Sequence, residues 1–428
     1  MLFELKQLLY RAYTPCRLHI DQAYPGIVNS LTEFCITVRP FSGWLLWELH
    51  RKGRTIPPET LARFEARIPL KKADGHLALD IVFPQEDRYI LTVFADGIAV
   101  ADLAVYALED DLYARLPYKG DNHLHSYYSH DASDSPEYMA AYCRRLGYDY
   151  VVITDHHQYE PSLRAVQVMA PFQSDFLVIP GEEIHSPDNP VHIIGLGGKK
   201  SVNTWYRKEP GAYEAAVLRH MPSIPECMAP EARYAAAASM AVFEKIREAE
   251  GVSILCHPGW IKKNLLHQEQ DITDCLFALR GFDVLELIAG GADQMGTQLQ
   301  LSYYQGQESM PIVGSSDAHC TASEGHLSLG NYSIVFAGEF SVEGIKTAIR
   351  EGFCAAVSDG RVYGPYRLVL YAYFLMERFF PRHDELCAKQ GKEMVGYASG
   401  KVEIKPECQT QSAAYSASFA QLYAEVRV

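Results

Sequence analysis

Two patterns of apolar and polar residues divide the chain at about residue 115. Before that point, segments such as EFCITVRP (33–40), WLLWELHRKG (44–53) and RYILTVFAD (88–96) alternate apolar and polar residues and are separated by turn-forming residues. Such alternation is typical of strands with one buried face. It predicts a small antiparallel β-sandwich over residues 1–114, in which MLFELKQLLYRAY (1–13) forms a short amphipathic helix.

After residue 115, short apolar runs without alternation are followed by helical segments. The runs include YVVITDHH (150–157), FLVIPGEEIH (176–185), VSILCHPG (252–259), DVLELIAG (283–290) and PIVGSSDAH (311–319). Helices are predicted near 136–146, 161–170, 271–280, 292–306 and 341–351, and within 206–250. Apolar strands interleaved with helices indicate a mostly parallel sheet covered on both faces and closed as a barrel, here over residues 115–360. Residues 361–428 are expected to begin with a hydrophobic helix to about 378, continue irregularly and pack as a helical appendage or lid.

The amino-acid composition limits which binding partners and which cellular compartment are expected for the protein. A length of 428 residues suggests two or three domains, and 48% hydrophobic residues can form a sizeable core. The net charge of −14 disfavours phosphate backbones and anionic lipid surfaces, so we expect neither a nucleic-acid nor a membrane partner. The longest apolar run, LVLYAYFLM (368–376), is too short to cross a bilayer. Ten scattered cysteines without a CxxC pair favour a reducing compartment, so a cytoplasmic protein is expected, and the oligomeric state is left open.

Histidine and carboxylate residues follow several of the predicted strands. His123 and His125 form an HxH motif, whose alternate residues share one face of an extended strand and can both reach one ion. The other segments carry TDHH, EEIH, His192 at the head of the next predicted strand, CHPG and SDAH. Each motif alone has an ordinary explanation, since SDAH could be a helix N-cap and TDHH a turn. Because the carboxyl ends of barrel strands meet in one pocket, the motifs together indicate a metal site.

Taken in order, DNHLHS, ITDHH, PGEEIH, VHIIGLG, CHPG and GSSDAH resemble the motifs of the PHP (polymerase and histidinol phosphatase) metallohydrolases over about residues 118–360. The β domain and the segment that starts with SDGRVYGPYR further resemble the branch that includes a carbaryl (carbamate) hydrolase. The resemblance implies a distorted seven-stranded (βα) barrel with a trinuclear metal site. The implied ligands are His123, His125, Glu183 and Asp317 for the first metal, Glu183, His192 and His257 for the second, and Asp131, His156 and His319 for the third.

Some of these positions have neighbours that could replace them. Glu182 adjoins Glu183, and His130 or Asp134 could take the place of Asp131. Two further carboxylates, Asp121 and Asp155, are expected to orient the ligand imidazoles. Imidazole and carboxylate donors suit two to three divalent Zn, Mn or Fe ions, and a bridging carboxylate holds two ions about 3.5–4 Å apart.

The expected function is hydrolysis of a small, anionic phosphate ester by a metal-bound hydroxide. Candidate substrate-binding residues are Arg361, Lys262 and His157, and Lys263 is the alternative to Lys262. His157 could instead support the metal ligands or have no role in the site. Hydrolysis of an amide or carbamate is the alternative, since the same nucleophile can attack a carbonyl. A regulatory or nuclease module that works with a partner is a third possibility.

Overall fold

The structure of the protein is a computed structural model. It describes residues 9–11, 18–19, 32–43, 48–49, 51–55, 67–73, 76–78, 81, 83, 85–172, 175–290, 294–307, 309–321, 330–400 and 406–425. The chain forms two compact units, one of residues 1–115, 373–381 and 420–428 and the other of residues 116–372 and 382–419. The division into 1–114, 115–360 and 361–428 stays a prediction.

The first unit contains two antiparallel sheets and a short helix, α1 (Asp110–Tyr113). Its strands are β1 (Leu9–Arg11), β2 (Leu18–His19), β3 (Phe34–Pro40), β4 (Ile68–Pro69), β5 (Lys71–Ala73), β6 (His76–Ala78), β7 (Asp87–Ala95) and β8 (Ile98–Leu108). The larger sheet has the order β1-β8-β7-β3-β4, and the smaller has the order β2-β6-β5. Val93, Ala95 and Leu77 lie in a shared apolar core.

Two local predictions for this unit are wrong. Leu9–Arg11 is a strand rather than part of a helix, and the rest of 1–13 lies outside the described residues. In the predicted strand 44–53, the described residues Glu48, Leu49 and Arg51 are helical. A short segment with mixed apolar and polar residues fits both periods, so the packing of its neighbours decides its structure.

The second unit is built on a curled ten-stranded sheet. Its strands are β9 (Leu116–Leu124), β10 (Tyr150–Ile153), β11 (Leu177–Ile184), β12 (Ile193–Leu196), β13 (Val252–Leu255), β16 (Val284–Ile288), β17 (Ile312–Gly314), β18 (Tyr332–Ala337), β19 (Cys354–Ser358) and β20 (Arg361–Tyr363). A separate hairpin is formed by β14 (Ile261–Lys262) and β15 (Leu265–Leu266). The order is β17-β16-β13-β12-β11-β10-β9-β18-β19-β20, and this confirms the predicted α/β fold.

Strand direction determines which residues reach the upper edge of this sheet. The pairs β9–β10, β10–β11, β13–β16 and β16–β17 are parallel, whereas β12 is antiparallel to β11 and β13. The sheet curls, so that the His125 N–H donates to the Ala318 carbonyl at 2.9 Å and the Gly314 N–H donates to Ser333 Oγ at 2.9 Å. The curl brings the end of β17 beside the end of β9.

Helices follow most strands of the second unit. They are α2 (Pro136–Arg145), α3 (Glu160–Met169), α4 (Val202–Lys208), α5 (Pro210–His220), α6 (Pro230–Glu248), α7 (Gln270–Leu279), α8 (Gln294–Tyr304) and α9 (Val342–Arg350). The C-terminal segment forms α10 (Tyr366–Arg378), α11 (Phe380–Ala398) and α12 (Pro406–Glu425). The expectation of an irregular segment beyond 378 is therefore wrong for these residues. Among the described helices, none combines the length and the apolar character that a membrane span requires.

A buried ionic network holds α11 to the start of β10. Asp149 Oδ1 lies 2.9 Å from Arg144 Nη1 and 2.8 Å from His383 Nε2. Arg144 Nε donates to Gln390 Oε1 at 2.7 Å. The side chains of Arg144 and His383 are fully buried, and Asp149 is the carboxylate that pairs with both of them.

Candidate metal centre

The upper edge of the curled sheet collects the polar residues predicted from the motifs. His123 and His125 lie at the end of β9, and His156 and His257 follow β10 and β13. Glu183 lies near the end of β11. Because β12 is antiparallel, its beginning lies at the same edge, and His192 precedes it.

Glu183 lies at the centre of the cluster. Its Oε1 is 3.0 Å from His192 Nδ1 and 3.6 Å from His257 Nε2. Its Oε2 is 3.6 Å from His125 Nε2 and 3.8 Å from His123 Nε2. One carboxylate thus faces imidazoles from four different positions in the chain, as a group that bridges two cations would.

A second carboxylate, Asp317, faces the HxH pair. Its Oδ1 is 3.2 Å from His123 Nε2 and 3.1 Å from His125 Nε2. Asp131 lies on the outer side, with Oδ1 3.5 Å from the Nε2 atoms of both His156 and His319. All nine predicted ligands therefore lie in one continuous cluster.

Several donor atoms in this cluster make no well-oriented hydrogen bond within the described residues, although His192 Nδ1 and Glu183 Oε1 are 3.0 Å apart. They are His123 Nε2, His125 Nε2, His192 Nδ1 and both side-chain oxygens of Glu183, and all five atoms are buried. Buried polar atoms are almost always paired, because an unpaired one costs free energy. A divalent cation would satisfy these atoms together, so the residues fit a metal site, and His123, His125 and Glu183 offer ligand atoms that all lie within 4.8 Å of one another.

The electrostatics put three of the donors in the states that bind metal. Burial lowers the pKa of His125 and of His192 to about 3 each, so these rings are neutral at pH 7. Burial works against the charged form of Asp317, but the His123 and His125 rings outweigh it and hold the pKa of this carboxyl well below its usual range. Neutral imidazoles and ionised carboxylates are the ligand forms that bind divalent cations. Burial opposes the charge of three other rings, but nearby carboxylates outweigh it and raise the pKa of His123, His156 and His257.

Asp155 and Asp121 support the cluster in different ways. Asp155 accepts hydrogen bonds from the backbone and the hydroxyl of Ser129, and Ser129 Oγ lies 3.0 Å from His125 Nδ1. Asp121 instead accepts the backbone N–H groups of His123 and Ser316, each at 3.1 Å. Asp121 therefore fixes backbone rather than a ligand imidazole, contrary to the expectation, and burial raises its pKa to about 7.

Of the neighbours that could have replaced predicted ligands, Glu182 and Asp134 make other contacts, whereas His130 lies at the outer side of the cluster with Nε2 3.8 Å from Asp131 Oδ2. Glu182 accepts hydrogen bonds from Ser201 Oγ and from the backbone and side chain of Asn203 at the start of α4. His130 is 84% exposed at its side chain, and Asp134 Oδ2 accepts the Thr321 N–H at 2.6 Å.

The candidate substrate-binding residues divide into two groups. The His157 N–H donates to the Glu183 carbonyl, and its ring centroid is 4.7 Å from that of His185. Lys262 Nζ lies 4.9 Å from the Trp260 ring centroid, next to the cluster. Arg361 is exposed at the start of β20, and no contact within the described residues joins it to the cluster.

The sequence-based set missed Glu286, a fully buried carboxylate in β16. Its Oε1 lies 3.0 Å from His123 Nδ1, and its Oε2 accepts the His257 N–H at 3.0 Å. One carboxylate thereby connects residues predicted to bind two different metals. The signal available in the sequence was a lone charged residue within the apolar run DVLELIAG.

His185 was also missing from the predicted ligands, although it stands in the EEIH motif. Its Nε2 is 3.2 Å from Glu183 Oε2 and 3.2 Å from His156 Nδ1, and its ring stacks on that of His192 at 3.8 Å. It offers the cluster a further nitrogen donor.

Three residues at this edge have left-handed backbone conformations. The φ angles are 59° at His157, 24° at His257 and 51° at Asp317. Residues other than glycine seldom adopt positive φ, and such strained positions concentrate at functional sites.

Comparison with known proteins gives matches among solved structures only. No family model and no curated protein matches the chain. A two-domain protein from Bacteroides vulgatus containing a predicted PHP-like metal-dependent phosphoesterase is 18% identical, with TM-score 0.44, over 61% of this chain and 70% of that one. A protein from Bifidobacterium adolescentis assigned as a metal-dependent phosphoesterase is 19% identical, with TM-score 0.34, over 47% and 87%.

The first of these structures carries the family name that the motifs of this chain resemble. Endonuclease Q in complex with a 27-mer duplex substrate that has an abasic lesion at the active site is 16% identical, with TM-score 0.37, over 55% of this chain and 57% of that one. The expectation that excluded nucleic acid is therefore corrected. Net charge describes the whole chain, whereas a substrate meets only the cations near the site.

Proposed function

We propose that this protein is a metal-dependent hydrolase of phosphate esters. The observation that carries the proposal is the set of buried donor atoms that crowd around Glu183 without well-oriented hydrogen bonds. His123, His125 and Asp317 would hold one ion with Glu183, and His192 and His257 would hold a second on the other oxygen of the same carboxylate. Asp131, His156 and His319 would hold a third. His185 lies close enough to Glu183 and His156 to assist.

Bound ions of this kind lower the pKa of a coordinated water and polarise a phosphoryl oxygen. The chain itself would fix the positions of the donors: Glu286 and Asp121 hold the segment of His123, and Ser129 holds His125. Positive charge beside the cluster favours an anionic ester over a neutral amide or carbamate. Lys262, on the Trp260 ring, supplies such a charge.

The proposal is tested by metal content and turnover measured on the same samples. Wild type reconstituted with Zn²⁺, Mn²⁺ or Fe²⁺ is assayed with phenyl phosphate, bis(4-nitrophenyl) phosphate and a DNA duplex with an abasic site, alongside a carbamate ester. We expect cleavage of at least one phosphate ester and none of the carbamate.

Glu183→Gln is expected to lose both bound metal and turnover. Glu244→Gln is the matched control, because Glu244 also pairs with a histidine, His220 at 2.9 Å, but lies on α6 away from the cluster. Full metal content in Glu183→Gln, or cleavage of the carbamate alone, would overturn the proposal.

A further inference from the structure

A short hairpin follows His257 and is continuous with the metal cluster. Ile261 pairs with Leu266 and Lys262 with Leu265, and the two residues of the turn, at 263 and 264, have φ angles of 53° and 63°. Positive φ at both central positions is typical of a type I′ turn, which matches the twist of two tightly paired strands. The Trp260 N–H donates to the His257 carbonyl at 2.9 Å, which fixes the base of this 260–267 hairpin.

One face of the 260–267 hairpin leads from the metal ligands outward. Side chains two residues apart share a face of a strand, which places Trp260 and Lys262 together. His267 lies opposite Trp260, and the ring centroids are 4.6 Å apart. The Trp260 ring lies 5.4 Å from His257 and 5.8 Å from His192. The face is therefore a continuous path from the predicted ligands of the second metal to an exposed lysine.

This face offers unused polar groups. Lys262 is exposed, and its ammonium group forms no ion pair with a carboxylate among the described residues. Its contact with the indole restricts the side chain without neutralising the charge. His267 Nε2 is buried and has no hydrogen-bond partner in the described part of the chain. A positioned cation beside an unpaired imidazole nitrogen is suited to an anionic oxygen.

We infer that the 260–267 hairpin binds the leaving group of the substrate and that Lys262 selects leaving groups with a negative charge of their own. The inference rests on the proposed function, because it places the scissile phosphate at the metals. The chemical class is thus a phosphate ester with a second anionic group, such as a carboxylate or another phosphate, on the departing side. Trp260 would contact the apolar part of the leaving group and His267 its polar part.

Binding of phosphonates tests the inference apart from turnover, because phosphonates are not hydrolysed. Dissociation constants of phenylphosphonate and 4-carboxyphenylphosphonate are measured by calorimetry with the Zn²⁺-loaded protein. Wild type is expected to bind the carboxylated compound about tenfold more tightly, the size of one charge-assisted hydrogen bond. Lys262→Met is expected to abolish that preference, and Lys262→Arg to retain most of it.

The matched control is Lys245→Met, because Lys245 Nζ also lies over an indole, 4.8 Å from the Trp205 ring centroid, but on α6. It should leave the preference unchanged. An equal affinity of wild type for the two phosphonates, a preference that survives in Lys262→Met, or no binding of either compound would overturn the inference. Failure of the proposed function would appear differently, as phosphonate binding without cleavage of any phosphate ester.

Discussion

Replacing Glu286 by Gln tests how much the metal centre depends on a residue that does not belong to the predicted ligand set. The carboxylate accepts from two groups at once, the His123 ring at 3.0 Å and the His257 backbone N–H at 3.0 Å. A glutamine amide has one oxygen, so it can accept only one of these bonds. Its NH₂ group would then face the other donor, and either His123 or the segment that carries His257 would lose its support.

The expected loss is about 30-fold in metal affinity. Changes to groups that orient metal-binding histidines typically cost 10- to 100-fold, or about 1.4–2.7 kcal/mol. The loss of one hydrogen bond to a charged acceptor, about 1.5–3 kcal/mol, gives the same range. Two independent estimates therefore agree, although the fold itself is expected to persist.

Affinity is measured by competition of the metal-free protein with a chromophoric chelator for Zn²⁺, and geometry by the visible absorption of the Co²⁺-loaded protein. Glu286→Gln should shift both, whereas Glu244→Gln should shift neither. Thermal unfolding of the metal-free variants separates a positioning role from general damage. Unchanged Zn²⁺ affinity and an unchanged Co²⁺ spectrum in a folded Glu286→Gln protein would refute the assigned role.

Three further changes address neighbouring features. Glu182→Gln should lower the free energy of unfolding in urea by about 2 kcal/mol, because its carboxylate caps α4, and should keep full metal content by elemental analysis; loss of metal would contradict this. Asp149→Asn should cost about 3–5 kcal/mol, because Arg144 stays buried without its counter-charge; a urea midpoint close to wild type would exclude this. Burial opposes the charge of His383, but Asp149 outweighs it and raises the pKa of this ring. Its stabilisation is therefore full below pH about 6.5 and is lost as the pH rises through the raised folded-state pKa, so the stability of wild type relative to His383→Gln should fall as the pH rises above about 6.5.

The part of the site that could be predicted from sequence depends on strand ends. Parallel strands bring their carboxyl ends to one edge, so a residue such as His257 or Asp317 could be placed there once the apolar run before it was recognised. The prediction of His192 as a ligand depended also on the resemblance to the PHP motifs. Its strand runs in the opposite direction, and a four-residue apolar run carries no information about direction.

The remaining features depend on contacts that have no periodic signal. Glu286 is one charged residue in a buried strand, and only the neighbouring strands reveal what its oxygens contact. The pairing of Trp260 with His267 arises from a two-residue turn at 263–264, and neither turn residue is glycine. The α11 helix buries Phe380, Cys387 and Met394 in tertiary contacts, which propensity alone does not show.

The left-handed backbone at His157, His257 and Asp317 lowers the stability of the fold, whereas the side chains at these positions supply the imidazoles and the carboxylate of the site. Glycine at any of these positions would relax the main chain by about 1 kcal/mol and would remove an imidazole or a carboxylate at the same time. Selection for thermal stability alone would therefore favour replacement of these three residues by glycine. A lineage that keeps these side chains despite the strain is under pressure to retain what they do, and that makes these three positions the most informative to follow in any directed-evolution experiment on this fold.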